Sequence, residues 1–71
     1  MTVRGCMLQN LGKYFKVIAK DGYILFRGRV TRDVIDTAVK WGWLNDKVLK
    51  EEYGREYDGE NVRYTVVVTI E

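Results

Sequence analysis

A small α+β fold is predicted: a β-hairpin, a helix and a long strand in the order ββαβ, forming one small sheet packed on one helical layer. Three patterns predict it. Residues 13–20 and 23–30 alternate around an Asp21-Gly22 turn, residues 31–43 repeat apolar side chains at helical spacing, and residues 62–70 alternate again with many β-branched residues. At 71 residues the chain is expected to form one domain, 1–71. A chain of this size buries only about 60% of its unfolded surface, so its stability margin is narrow.

The hairpin runs from Lys13 to Lys20 and from Tyr23 to Val30. Asp-Gly suits a two-residue type I′ turn, which needs positive φ at both central positions and thereby sets the register. Lys20 then faces Tyr23, Ala19 faces Ile24, Ile18 faces Leu25, Val17 faces Phe26, Lys16 faces Arg27, Phe15 faces Gly28 and Tyr14 faces Arg29. One face carries Phe15, Val17, Ala19, Ile24, Phe26 and Val30, which is core-like. The other carries Tyr14, Lys16, Ile18, Lys20, Tyr23, Leu25, Arg27 and Arg29, an aromatic and cationic mixture that a merely solvated sheet does not require.

Thr31 is a good helix N-cap, and Asp33 places negative charge in the first turn, where the macrodipole favours it. Val34, Ile35, Ala38, Val39 and Trp43 follow at helical spacing, with Trp41 on the rim. Asp36 and Lys40 stand as an i,i+4 pair on the opposite side. Gly42 weakens or ends this helix. Two continuations are open. Asn45 caps a second helix over residues 46–53, with Leu44 and Leu49 as a staple and Gly54 as its left-handed stop, or one kinked helix runs from Arg32 to Tyr53. Gly54 to Asn61 reads as a polar loop. In the strand Val62 to Ile70, the helical crossover before it permits parallel pairing with a hairpin strand. Thr2 to Leu8 fits a short N-terminal edge strand, or residues 1–11 form a mobile arm.

Composition excludes several chemistries. The chain has no His and one Cys, so neither an intrachain disulfide nor a Cys/His zinc site can be assembled from it, and Cys6 has no base to activate it. The carboxylates Glu51, Glu52, Glu56, Asp58 and Glu60 read as a solvated surface, and neither a P-loop nor a dinucleotide fingerprint is present. A non-enzyme without metal or cofactor is expected. Met1 to Leu11 lacks a secretory pattern and no apolar run approaches the ~20 residues of a membrane span, so the expectation is a cytoplasmic protein without membrane contact. The net charge of +2 is unevenly spread. Seven bases against one acid give residues 1–32 a charge of +6, whereas five bases against nine acids give residues 33–71 a charge of −4. Such a dipole suits a polyanionic partner or head-to-tail self-association.

The candidate partner-binding residues are therefore Tyr14, Lys16, Lys20, Tyr23, Leu25, Arg27, Arg29 and Trp41. Nucleic acid is the first expected partner: tyrosines offer stacking platforms worth about 1–3 kcal/mol per base, while cations track phosphates. No RNP box, KH loop or helix-turn-helix accompanies them. The blander alternative has the N-terminal segment covering Ile18 and Leu25 while the cationic side chains snorkel into water. Trp43 is expected to cap the core and Trp41 to be the exposed one of the pair. A second functional reading is a protein–protein inhibitor or adaptor docking on an acidic surface of a larger host protein. From Lys13 to Glu71 the order hairpin, helix, strand, with its acidic loop, loosely resembles small phage-encoded regulators of host enzymes and accessory domains of mobile elements. The resemblance is one of element order alone and carries no site residues. A homodimer meeting through Ile18 and Leu25 across a two-fold axis is also compatible with the sequence.

Overall fold

In the computed structural model, which describes residues 1–71 apart from the side chain of Asp58, a four-stranded mixed sheet carries all its helical segments on one face. The strands are β1 (Tyr14–Ala19), β2 (Ile24–Arg29), β3 (Val48–Asp58) and β4 (Asn61–Ile70), in the spatial order β2-β1-β4-β3. Two helices, α1 (Val3–Leu8) and α2 (Arg32–Ala38), complete the small α+β domain. β1 pairs antiparallel with β2 and parallel with β4, and β4 pairs antiparallel with β3.

The core follows from that pairing. Phe15 and Val17 of β1 stand beside Val66 and Val68 of β4 on one face, and all four are buried. Ile70 extends the β4 row, and Val3, Cys6 and Met7 of α1, Ile35 and Ala38 of α2, and Val30, Trp43 and Leu44 close over it in one cluster. Thr31 caps α2 as expected, its hydroxyl accepting from the Val34 amide at 3.1 Å. Beyond Ala38 the coil tightens into a 3₁₀ turn over Val39–Trp41, which swings Val39 out of the apolar stripe into solvent. Asp36 and Lys40 form no ion pair among the described residues. Gly42, at φ +78°, ends the segment in a conformation that side-chain-bearing residues rarely adopt.

Four local expectations are corrected. First, residues 3–8 are a helix and not an edge strand or mobile arm. Thr2 caps it through the Gly5 amide, and Asn10, itself buried, donates to the Cys6 carbonyl at 2.7 Å. Second, no helix occupies residues 46–53. After a second 3₁₀ turn, Trp43–Asn45, the chain enters β3, and residues 54–61 continue that strand into a two-residue connection at Gly59-Glu60. Leu, Lys and Glu favour a helix here, but β4 would then present a long unpaired edge, and pairing overrides propensity. Gly54 accordingly shows no positive φ.

Third, the first hairpin turns differently. Among the described residues only glycines have positive φ, so a type I′ turn at Asp21-Gly22 is excluded. The Gly22 amide instead donates to the Ala19 carbonyl, the Ala19 amide donates to the Tyr23 carbonyl, and Gly22 takes φ +94° in a three-residue loop. Asp21 accepts from the Tyr23 amide at 3.1 Å. Fourth, the register holds from Tyr14↔Arg29 to Val17↔Phe26 and then shifts to Ile18↔Ile24. Leu25 is the extra residue of this bulge. Ile24 moves to the outer face, half exposed, while Leu25 joins Phe26 against the core.

Two measurements check this packing. Phe15→Ala removes a fully buried ring from the centre of the cluster and should cost about 3–5 kcal/mol, leaving the domain largely unfolded at 25 °C by circular dichroism. Burial, and then the nearby Glu51 carboxylate, push the Cys6 thiol up to about 11. Iodoacetamide at neutral pH should therefore label Cys6 only in denaturant, and rapid labelling of the folded protein would contradict the placement of α1.

Candidate functional site

The sheet face opposite the helices carries the side chains that alternate with the core. From β1 these are Tyr14, Lys16 and Ile18, and from β2 they are Ile24, Arg27 and Arg29. Parallel register adds Arg63, Thr65, Val67 and Thr69 from β4, and β3 adds Glu52 and Glu56. Of the eight residues singled out by sequence, four are brought together here: Tyr14, Lys16, Arg27 and Arg29. Lys20 and Tyr23 stand exposed at the hairpin's turn end. The bulge directs Leu25 toward the core. Trp41 lies on the helical side, 47% exposed, its ring 5.5 Å from Trp43 and 6.2 Å from Phe26. It belongs to a different surface from the tyrosines and cations.

One unexpected segment shapes the face. β4 meets β1 only from Thr65 onward, so the distal β3–β4 hairpin, residues 55–64, overhangs the sheet. It curls back over the open face. Glu56, although opposite Arg63 in the ladder, reaches Lys16 Nζ at 2.9 Å and the Arg27 guanidinium at 3.1 Å. Lys16 and Glu56 keep only 22% and 24% of their side-chain surface in contact with solvent. The Lys16 ammonium above all, with Arg27 behind it, holds the Glu56 carboxyl below its ordinary value, against an opposing contribution from desolvation. It is thus the overhanging hairpin, and not the N-terminal segment, that lies against this face.

Tyr14 is the centre of the arrangement. The Arg63 guanidinium lies 3.7 Å from its ring centroid and that of Arg29 5.0 Å, reaching it from the strands on either side. Beside it, the Gly12-Lys13 approach to β1 leaves the edge of β4 uncovered and opens a notch of about 360 Å³ lined by Lys13, Tyr14, Tyr53, Arg63, Tyr64 and Thr65. Tyr53 and Tyr64 are largely exposed, and the Arg55 guanidinium is 5.9 Å from the Tyr64 ring. Thr65 is buried beneath, and its hydroxyl has no hydrogen-bond partner among the described residues. The floor of the notch therefore offers one unmatched polar group.

Arg63, Tyr64 and Tyr53 were missed by sequence reasoning because their nearness to Tyr14 depends on which hairpin strand β4 joins. The available signal was parity: Arg63 shares the side of Thr65, Val67 and Thr69, opposite the core valines. The solvated-surface reading holds for the exposed Glu51, Glu52 and Glu60 but not for Glu56, and for Asp58 it lies outside the described side chains. Among the described residues no group of three or more His, Cys, Asp or Glu side chains is placed to hold a metal ion, and no helix is long and apolar enough to cross a membrane.

The ion pairs make a pH prediction. Because the folded-state pKa of Glu56 is depressed, its contribution is complete above the unfolded value near 4.5 and is lost as pH falls through the lowered folded value. Pairs of this exposure contribute about 0.2–1 kcal/mol. Denaturant unfolding between pH 7 and pH 3 should show Glu56→Gln less stable than the parent at pH 7, with the difference shrinking as the pH falls below about 4.5. A constant difference across that range would contradict the pairing. In comparisons with known proteins, no family model, no curated protein and no solved structure matches this chain.

Proposed function

We propose that this protein is a small non-enzymatic binding module that holds single-stranded nucleic acid on the open sheet face, around Tyr14, Arg29 and Arg63. The observation that carries the reading is Tyr14 flanked by two guanidinium groups at 3.7 and 5.0 Å, next to a notch bearing Lys13 and Tyr64. Stacking on a tyrosine ring or a guanidinium plane is indifferent to base identity, and the same cations neutralise phosphates. The face is a strip of β-sheet with aromatic and cationic side chains side by side, suited to an extended strand more than to a duplex groove. Lys20 and Tyr23 extend the strip toward the hairpin turn.

Glu56 gives the reading its sharpest consequence. It neutralises Lys16 and Arg27, so only part of the cationic set engages phosphate while the pairs persist. Removing the carboxylate should strengthen binding. The counter-reading, an inhibitor or adaptor of phage or mobile-element type docking on an acidic protein surface, is favoured by one specific feature: Tyr23, Tyr53, Tyr57 and Tyr64 are each about 70% exposed. Tyrosine anchors of that kind are typical of protein interfaces. A cytoplasmic setting suits both readings.

Fluorescence anisotropy with a labelled single-stranded oligonucleotide tests the proposal. Binding at about 50 mM salt should weaken steeply toward about 200 mM. Tyr14→Ala should weaken binding, because the ring orders the Arg29 and Arg63 guanidinium planes on which bases would stack. Arg29→Glu with Arg63→Glu should abolish binding, and Glu56→Gln should tighten it. Absence of binding at low salt, or indifference to all of these changes, would exclude nucleic acid at this face. Retention of an acidic protein at physiological salt, lost on Tyr23→Ala, would then support the counter-reading.

A further inference from the structure

We infer that the outer edge of β3 pairs with the β3 edge of a second copy of this chain, antiparallel and centred on Tyr53. β3 is one of the two edge strands of the sheet, and its first residues are already covered. The Val48 amide donates to the Met1 carbonyl at 2.9 Å, the Val3 amide donates to the Asp46 carbonyl, and Thr2 bridges Lys47. At the far end Asp58 enters the two-residue connection to β4. Leu49 to Tyr57 is left as an uncovered edge, and its midpoint is Tyr53. The chain contains no proline, and the one irregularity of β3, between Val48 and Lys50, lies where the covered start gives way to the free stretch. Proline, a common device for blunting an edge strand, is thus missing from the free stretch; its charges, Lys50, Glu51, Glu52, Arg55 and Glu56, disfavour partners of the wrong register and leave a complementary one open.

Ladder phase and charge select the same register. Asp58↔Asn61 closes a two-residue hairpin, so hydrogen-bonded pairs to β4 recur at every second residue from Asp58. The backbone groups of Glu51, Tyr53, Arg55 and Tyr57 consequently point away from β4, toward the free edge. A two-fold arrangement centred on a residue matches outward groups to outward groups, whereas one centred between residues does not. Centring on Glu51, Glu52 or Arg55 sets that charge against itself, and centring on Gly54 sets Glu52 against Glu56. Centring on Tyr53 sets Glu51 against Arg55 twice, with no like charges opposed, while Lys50 and Glu56, which also face each other, keep their partners Glu52 and Lys16 within the chain. Tyr53 meets its own copy at the axis, and Leu49 meets Tyr57 at the ends, all three of them at least half exposed in the single chain. Opposite charges and aromatic pairs directly across an antiparallel ladder are the stabilising combinations.

Such pairing joins two sheets edge to edge into one, with the axis perpendicular to it. Both open faces then look the same way, and two Tyr14 clusters share one surface. The pairing itself does not depend on what those clusters bind. It differs from a dimer meeting through Ile18, which would cover the open face.

Sedimentation equilibrium at protein concentrations up to about 1 mM, with crosslinking as a second readout, tests the inference. The parent chain should show a monomer–dimer equilibrium. Arg55→Glu opposes Glu51 to a new acid and should shift it at least tenfold toward monomer, while Glu51→Arg combined with Arg55→Glu should restore the dimer, because each two-fold contact is again between unlike charges. Tyr53→Cys should form an intermolecular disulfide under mild oxidation, since directly opposed residues of a hydrogen-bonded pair lie about 5.5 Å apart at Cα. A chain that stays monomeric throughout, a dimer unmoved by Arg55→Glu, a double variant that fails to recover, or a dimer that resists crosslinking at residue 53 would each overturn the assignment. Loss of dimer on Ile18→Lys with no effect of Arg55→Glu would place the contact on the open face instead.

Discussion

The parallel pairing of β1 with β4 is the constraint on which everything else rests. It sets Phe15 beside Val66, Val17 beside Val68 and Ala19 beside Ile70, and so assembles the apolar floor onto which α1, α2 and the tryptophan turn pack. Neither hairpin can bury a face by itself, and a lone two-stranded hairpin is marginal in water. Joined along this one ladder, they become a sheet with two protected central strands and two edges. In a chain of 71 residues there is little other apolar surface to bury, so the contribution of α1 is part of the same requirement.

The same ladder generates the candidate site by being shorter than its strands. β1 starts at Tyr14, whereas β4 starts at Asn61 and reaches the pairing only at Thr65. The surplus length of the second hairpin curls over the open face, carries Glu56 to Lys16 and Arg27, and lays Arg63 against Tyr14. Mutual repulsion among Lys16, Arg27, Arg29 and Arg63 is relieved by one carboxylate, and the aromatic ring separates two guanidinium groups. A face that is cationic by composition becomes a partly neutralised, ordered surface.

What the sequence disclosed and what it hid divide along the range of the interactions involved. The first hairpin, the Thr31 cap, the break at Gly42 and the β4 strand are local patterns, and each is found within a residue or two of its expected bounds. β3 was hidden because Leu49-Lys50-Glu51-Glu52 has helical propensity, and its strand conformation comes from β4. The weak signal for it was Asp58-Gly59 followed by an alternating run, with Tyr53 and Tyr57 spaced to lie opposite Val66 and Val62. α1 was hidden for a related reason: Val3, Cys6 and Met7 have a place to pack only once the sheet exists. Of the candidate site, the residues on β1 and β2 were legible by alternation. Leu25 left that set through a bulge that follows from turn geometry and not from hydrophobic pattern, and Arg63 and Glu56 joined it through pairings remote in sequence.

Backbone hydrogen exchange followed by NMR tests the central ladder most directly. If β1 and β4 form the parallel core, the amides of residues 15–19 and 66–70 that point between these two strands should be the slowest to exchange, opening only with global unfolding. Amides of β2 and of β3 that point outward from the sheet should exchange orders of magnitude faster. Exchange of the inward-pointing β1 amides as fast as that of the outer edges would contradict the pairing and, with it, the placement of both the core and the Tyr14 cluster.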